Sequence, residues 1–161
     1  YGTGKPSPLG MCIKNGIIYG DYMTSYSVMA VKKDGTIYTP AQGLMGKNLL
    51  AAGVKDTYNF GPVLIKDGEA QLPWAETEKY YPRTAVGMVK PNDYVLLVTD
   101  TGSYNGLNHW DMVNIFKSYG CTYAYNLDGG GSATLYFNGK VMNKLIGNTQ
   151  RPCADFLYFT R

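Results

Sequence analysis

The chain has 161 residues, enough for one domain with a real core, and its 45% hydrophobic and 17% charged residues exclude a disordered tail. Its net charge of +3 comes from basic residues spread along the chain, so charge gives no ground for a nucleic-acid partner. No run approaches the roughly 20 apolar residues of a membrane-spanning helix.

Tyr, at 15, and Gly, at 20, are frequent, and Tyr in short runs punctuated by Gly favours strands. Met11–Lys14, Asn15-Gly16 and Ile17–Tyr19 read as a hairpin with an Asn-Gly turn. Tyr26–Lys32, Asp34-Gly35 and Thr36–Thr39 read as a second, with Val28 and Ala30 as its inward-facing residues. Ala41–Val54 is ambiguous, but Leu44, Leu49, Leu50 and Val54 suit a short helix on a sheet. Phe60–Lys66 and Asp67-Gly68 follow as a strand and turn, and Gln71–Pro82 as a surface excursion that lines a cleft.

The second half is more regular. Thr84–Val89 reads as a strand, Pro91-Asn92-Asp93 as a turn, and Tyr94–Thr99 as a strand buried on both faces. His109–Tyr119 carries Trp110, Val113, Ile115, Phe116 and Tyr119 at helical spacing, with Asn108 as N-cap, Asp111 three residues on, and Gly120 just past the end. Thr122–Leu127 is the next strand; Ala133–Phe137, Asn138-Gly139 and Lys140–Met142 form a hairpin; Asp155–Thr160 is a closing strand. The expected fold class is α+β, a single domain over residues 1–161 with a mixed, largely antiparallel sheet and few helices.

A strand–helix–strand unit over 94–127 would make its strands parallel, so Asp100 and Asp128 would each sit just past the carboxyl end of a strand, at the same sheet edge. Ligands favour that edge. Two carboxyls there can divide a hydrolysis, one as general acid and the other as base or nucleophile. The plainer alternative is that each Asp orders its own loop.

The run Asn126-Leu127-Asp128-Gly129-Gly130-Gly131-Ser132 is neither a P-loop nor a dinucleotide fingerprint, since no Gly-Lys-Ser/Thr follows and the next segment is strand-like. Consecutive glycines can turn main-chain N–H groups into one concavity suited to phosphate; a bulged turn is the alternative. Arg83 and Arg151 are candidate bidentate phosphate partners. Ser132 has no histidine nearby to activate it, so it is expected to bind ligand or order the loop. His109, the only histidine, is expected to face solvent in a structural role. Cys12, Cys121 and Cys153 form no Cys-x-x-Cys, which argues against zinc; they read as small buried hydrophobes.

Asp100-Thr101-Gly102-Ser103 also matches an aspartic peptidase signature, but the chemistry needs a second such aspartate sharing a proton, and Asp128 is not in a second Asp-Thr-Gly.

Taken together, Pro82–Gly87 (PRTAVG), the apolar strand ending at Asp100, the helix ending Ser-Tyr-Gly, Asn126–Lys140 (NLDGGGSATLYFNGK) and Arg151–Phe159 (RPCADFLYF) resemble the phosphodiester glycosidase family. The opening Lys5–Gly20 is similar too, so the resemblance covers most of the chain. It implies hydrolysis of a sugar-1-phosphodiester, with Asp100 and Asp128 as the catalytic pair. Arg83, Thr84, Gly129, Gly130, Gly131, Ser132 and Arg151 would bind substrate or its phosphate, and Asn126 would orient the substrate or the loop. No cofactor is required by the sequence; a divalent cation could bridge carboxylate and phosphate. A glycan or sugar phosphate is the implied partner, and family members linked to exopolysaccharide imply a secreted or cell-envelope protein. No signal peptide is visible, and the family's usual Asn-Gly- or Asn-Ala-rich opening is missing ahead of Tyr1, so the chain reads as trimmed, with a signal or anchor expected upstream. Two further departures are Thr101, where the family commonly has Gly after the Asp, and Cys153, in place of a small aliphatic residue. The non-enzymatic alternative is a carbohydrate- or surface-binding module, favoured by the Tyr content.

Overall fold

The computed structural model describes residues 10–22, 24–71, 79–100 and 105–160. The first nine residues, most of the 71–82 excursion and residues 101–103 of the Asp-Thr-Gly-Ser match lie outside the described residues.

The strands are β1 (Cys12–Lys14), β2 (Ile17–Gly20), β3 (Ser27–Lys32), β4 (Ile37–Tyr38), β5 (Val54–Phe60), β6 (Val63–Lys66), β7 (Glu69–Ala70), β8 (Thr84–Lys90), β9 (Asp93–Val98), β10 (Tyr123–Leu127), β11 (Tyr136–Phe137) and β12 (Lys140–Val141). The helices are α1 (Gly46–Ala51) and α2 (His109–Ser118). Two sheets dominate: β4-β3-β5, and the five-stranded β7-β6-β10-β8-β9. Neighbouring strands in both are antiparallel, as the α+β reading expects.

Local chemistry sets the turns. Asn15-Gly16, Asp67-Gly68 and Asn138-Gly139 all have positive φ at both positions, which two-residue hairpins of the right twist require. Helix α2 has a complete capping box, with the Asn108 side chain accepting from Asp111 N–H at 2.8 Å and the Asp111 carboxylate accepting from Asn108 N–H. It ends in a Schellman turn: Cys121 N–H donates to Phe116 O and Gly120 N–H to Lys117 O, with Gly120 at φ 73°.

The two-residue alternation of β8 and β10 builds two cores on opposite faces. Tyr123, Tyr125, Val86 and Met88 meet Met29, Ile37 and Tyr58 of the smaller sheet. Ala124 and Ala85 face the other way, with Met112, Val113 and Phe116 of α2. Gly87 lets the helix approach closely, since a Cβ there would stand 2.5 Å from the Phe116 ring. A third core packs α1 through Leu49 onto Met11, Ile13, Val28, Ala30 and Val54.

Several expectations are corrected. Strand β9 is the sheet's edge, not a strand buried on both faces; Leu96 is 47% exposed, because only β8 flanks it. His109 is buried, not solvent-facing, because it shares the i, i+3, i+4, i+7 face of Met112, Val113 and Phe116. Of the expected apolar face, Val113 and Phe116 are core and Trp110 packs against it, but Tyr119 is exposed. Cys12 and Cys121 are buried, but Cys153 is exposed. Residues 55–59 belong to β5, which its charged and polar residues concealed.

Asp155–Thr160 forms no strand. It is a strap held by side chains: Lys14 Nζ pairs with Asp155 at 2.9 Å, Leu157 enters the core, and the Phe159 ring lies 5.2 Å from Tyr94. Its Phe-Leu-Tyr-Phe run has strand-forming residues but does not join the ladder, since β-propensity depends on the surface a segment meets.

Candidate functional site

The crossover from β9 through α2 to β10 is split. Strand β8 lies between β9 and β10 and is antiparallel to both, so those two run parallel to each other. Thr84 is in register with Val98 on one side and Leu127 on the other. Asp128 and Asp100 therefore leave the same sheet edge, one strand apart, about 9–10 Å across the sheet.

Asp128 lines a cleft of about 330 Å³ with Phe60, Tyr81, Pro82, Arg83, Gly129, Gly130, Gly131 and Arg151. A larger cavity of about 1040 Å³ lies along residues 154–160 and is lined by neither Asp100 nor Asp128. The smaller cleft is the candidate site, because it gathers an acid, two arginines and the glycine run.

Each of the three glycines meets a separate demand. A Cβ on Gly129 would stand 2.5 Å from Pro82 O, and that atom is backbone. Gly130 adopts φ 57° and donates its N–H to Pro82 O at 2.8 Å. A Cβ on Gly131 would stand 2.6 Å from Arg151 Nη2, so the guanidinium lies against the bare backbone. Ser132 N–H to Gly129 O and Ala133 N–H to Gly130 O close a 3₁₀ turn. The nest expected of three glycine amides is reduced accordingly. Gly129 N–H donates to Asp128 Oδ1 at 2.9 Å and Gly130 N–H to Pro82, so two of the three serve the protein itself.

The arginines differ. Arg83 Nε donates to Leu107 O at 3.0 Å and Nη2 to Lys79 O at 2.9 Å, and its guanidinium lies 5.3 Å from the Tyr81 ring centre. Burial pushes its pKa below the ordinary arginine value. Two of its five donors are thus committed to carbonyls, which fixes its plane at the cleft. Arg151 is exposed, and its Nη1 donates to Ser132 Oγ at 3.4 Å. The Ser132 hydroxyl thereby meets an arginine.

Four expected site residues, Asp100, Thr84, Asn126 and Ser132, are not among those lining the cleft. Asp100 Oδ2 accepts Lys144 N–H at 2.8 Å. Thr84 has its Oγ1 buried. Asn126 is only 1% exposed. Its Nδ2 donates to Gly61 O at 2.7 Å, its N–H to Pro62 O, and its carbonyl accepts from Gly61 N–H. An aspartic peptidase pair shares one proton between touching carboxyls; here Asp128 and Asp100 take separate main-chain N–H groups and are divided by β8.

Phe60, Tyr81 and Pro82 also line the cleft. Tyr81 and Pro82 end the excursion that was expected to do so. Phe60 is brought in by the chain reversal after β5, which no local signal near the Asp-Gly run announces. Among the described residues no group of three or more His, Cys, Asp or Glu is placed to hold a metal ion, and no helix is long and apolar enough to cross a membrane.

A family model described as phosphodiester glycosidase matches residues 1–160. The SPbeta prophage-derived uncharacterized protein YomE of Bacillus subtilis is 31% identical over 92% of this chain and 25% of its own length. The mouse N-acetylglucosamine-1-phosphodiester alpha-N-acetylglucosaminidase is 28% identical over 81% of this chain and 29% of its own. The chain thus spans about a quarter of the length of these relatives. Among solved structures, the zebrafish N-acetylglucosamine-1-phosphodiester alpha-N-acetylglucosaminidase catalytic domain, auto-inhibited by its pro-peptide, shares the fold. Its TM-score is 0.70 at 22% identity, covering 91% of this chain and 55% of that one.

Proposed function

The chain belongs to the phosphodiester glycosidase family, and on that premise we propose that it hydrolyses a sugar-1-phosphodiester, releasing the sugar and leaving a phosphomonoester. The observation that carries this reading is one cleft combining Asp128 with Arg83, Arg151 and the glycine turn. The relatives' names add N-acetylglucosamine as the proposed sugar.

In this mechanism the bond between the anomeric carbon and the phosphate oxygen breaks, and a water oxygen joins that carbon. The arginines offset the charge left on the departing phosphate. Asp128 and Asp100 divide the remaining work, one as general acid and the other as base or nucleophile. Asp100 would reach the ligand from the neighbouring loop. A divalent cation, were one bound, would be held by Asp128 and would help offset the phosphate charge. The reading carries a glycan or sugar-phosphate partner and a secreted or envelope location, which fractionation of the source cells would check.

The test is turnover of UDP-N-acetylglucosamine or a sugar-1-phosphodiester by the full-length protein, with divalent metal and with chelator. No turnover in either condition overturns the reading. A carbohydrate-binding module is the second reading, favoured by the Asp100 carboxylate being held by Lys144 outside the cleft lining. Glycan binding without turnover would select it.

A further inference from the structure

The cleft lining combines two chemistries, charged groups and two aromatic rings. The rings are not equivalent. Tyr81 lies under the Arg83 guanidinium and serves as its prop. Phe60 is not one of the rings paired with a cation among the described residues. Its ring instead stacks on Tyr26, with centroids 6.0 Å apart and planes 9° apart, and Tyr26 is 45% exposed. A stacked aromatic pair at the surface beside a charged cleft is apolar area kept in water.

The pair is also held firmly. Phe60 N–H donates to the Tyr125 hydroxyl at 2.9 Å, and that hydroxyl donates to Ser27 O at 2.6 Å. One buried side chain therefore pins both residues' backbone neighbourhoods. Tyr125 stays protonated, since burial drives its pKa up. The next residue, Gly61, has φ 92°, and a Cβ there would stand 2.6 Å from Ser27 Oγ. Asn126 fastens Gly61-Pro62 through its side chain and both main-chain groups. Thus Tyr125 and Asn126, two consecutive residues of β10, fix the Phe60 corner, and the same strand delivers Asp128 two positions later. The acid and the ring share one rigid support, which is the arrangement a precise site needs.

From this we infer that Phe60, backed by Tyr26, is the face on which the pyranose ring of the substrate lies. One face of a pyranose presents C–H groups and packs flat on an aromatic ring, while its hydroxyls remain at the edge for polar partners. The phosphate at the anomeric carbon would then reach toward Arg151 and Arg83. This inference rests on the proposed sugar-1-phosphodiester reading and adds to it the subsite for the sugar.

Direct titration tests it apart from turnover. The full-length protein is titrated with N-acetylglucosamine 1-phosphate, with inorganic phosphate and with uridine monophosphate, the last representing the other half of the diester. Wild type is compared with Phe60→Ala, Phe60→Leu and Phe60→Trp. Leu keeps apolar volume but removes the flat face, so it carries the comparison if Ala fails to fold. The expected result is a roughly tenfold loss of sugar-phosphate affinity for Leu and Ala, the scale of one lost ring contact. Inorganic phosphate should stay within about twofold, and Trp should restore most of the sugar-phosphate affinity. Unchanged sugar-phosphate binding in Phe60→Leu overturns the inference, as does a loss confined to uridine monophosphate, which would give the ring to the aglycone. A wild type that binds the phosphates normally but whose Leu variant loses both equally also overturns it. A wild type that binds none of the probes defeats the cleft reading itself and the subsite with it.

Discussion

The loops after β9 and β10 begin from matched positions, each just beyond a strand in register with Thr84. Their surroundings differ. Asp128 enters a glycine turn fitted against Pro82 and Arg151, and it lines the cleft. Asp100 leaves the exposed edge strand, and its carboxylate accepts the Lys144 main-chain N–H. The difference teaches that equivalence in topology is not equivalence in environment. A central strand is buttressed on both sides and can hold an acid rigidly, whereas the loop of an edge strand leans on whatever lies beyond the sheet.

The sharpest way to break the comparison is to neutralise each acid. Asp128→Asn should reduce turnover by about 10³-fold, the scale of acid–base or nucleophilic participation, with the melting temperature unchanged. Turnover at the wild-type rate would remove Asp128 from the mechanism. Asp100→Asn keeps an oxygen for Lys144 while removing the charge. A fall of about 10²-fold makes Asp100 the partner acid; less than twofold makes it a loop anchor only, and the two loops would then be functionally as well as structurally distinct.

Smaller effects sharpen the picture of the glycine turn. Gly129→Ala drives a Cβ against the Pro82 carbonyl, which is backbone and cannot swing aside. Denaturant unfolding should show a loss of about 1–3 kcal/mol. Arg151→Lys keeps the charge but loses the planar fork, so KM should rise about tenfold, one bidentate contact's worth, with kcat little altered.

The smallest expected effect is a control distant from both loops. Asp34 Oδ1 accepts Thr36 N–H at 2.8 Å, and that bond holds its carboxyl below the ordinary aspartate value. A lowered folded pKa means that the stabilisation is fully present above the unfolded value near 3.9. It fades as pH falls through the lower folded value. The gap in melting temperature between wild type and Asp34→Asn should therefore close in acid; a gap constant with pH would deny the bond its role.

Much of this molecule was legible in the chain. Asn-Gly and Asp-Gly dipeptides gave the hairpins because two consecutive positive φ angles admit few residues. Asn108, Asp111 and Gly120 bounded α2 because orphaned helix-end groups need specific partners. Asp128, the arginines and the glycines were readable as candidates that would share one cleft, because such a run is costly without close backbone approach. The face of α2 was misjudged through His109, since nothing in a single helix says which neighbour will cover it. The exposure of β9 and the unpaired strap at Asp155–Thr160 were hidden for the same reason: a strand's position in a sheet is set by its partners.

The sequence by itself therefore determined the turns, the caps, the strand–helix–strand unit and the family, all of which follow from local backbone demands or from motif order. Only the tertiary structure decided that Phe60 lines the same cleft as Asp128, that Asn126 braces the Gly61-Pro62 corner, and that Asp100 answers to Lys144. Those outcomes depend on contacts between residues tens of positions apart, where packing and main-chain hydrogen bonding, and not local preference, choose the neighbour.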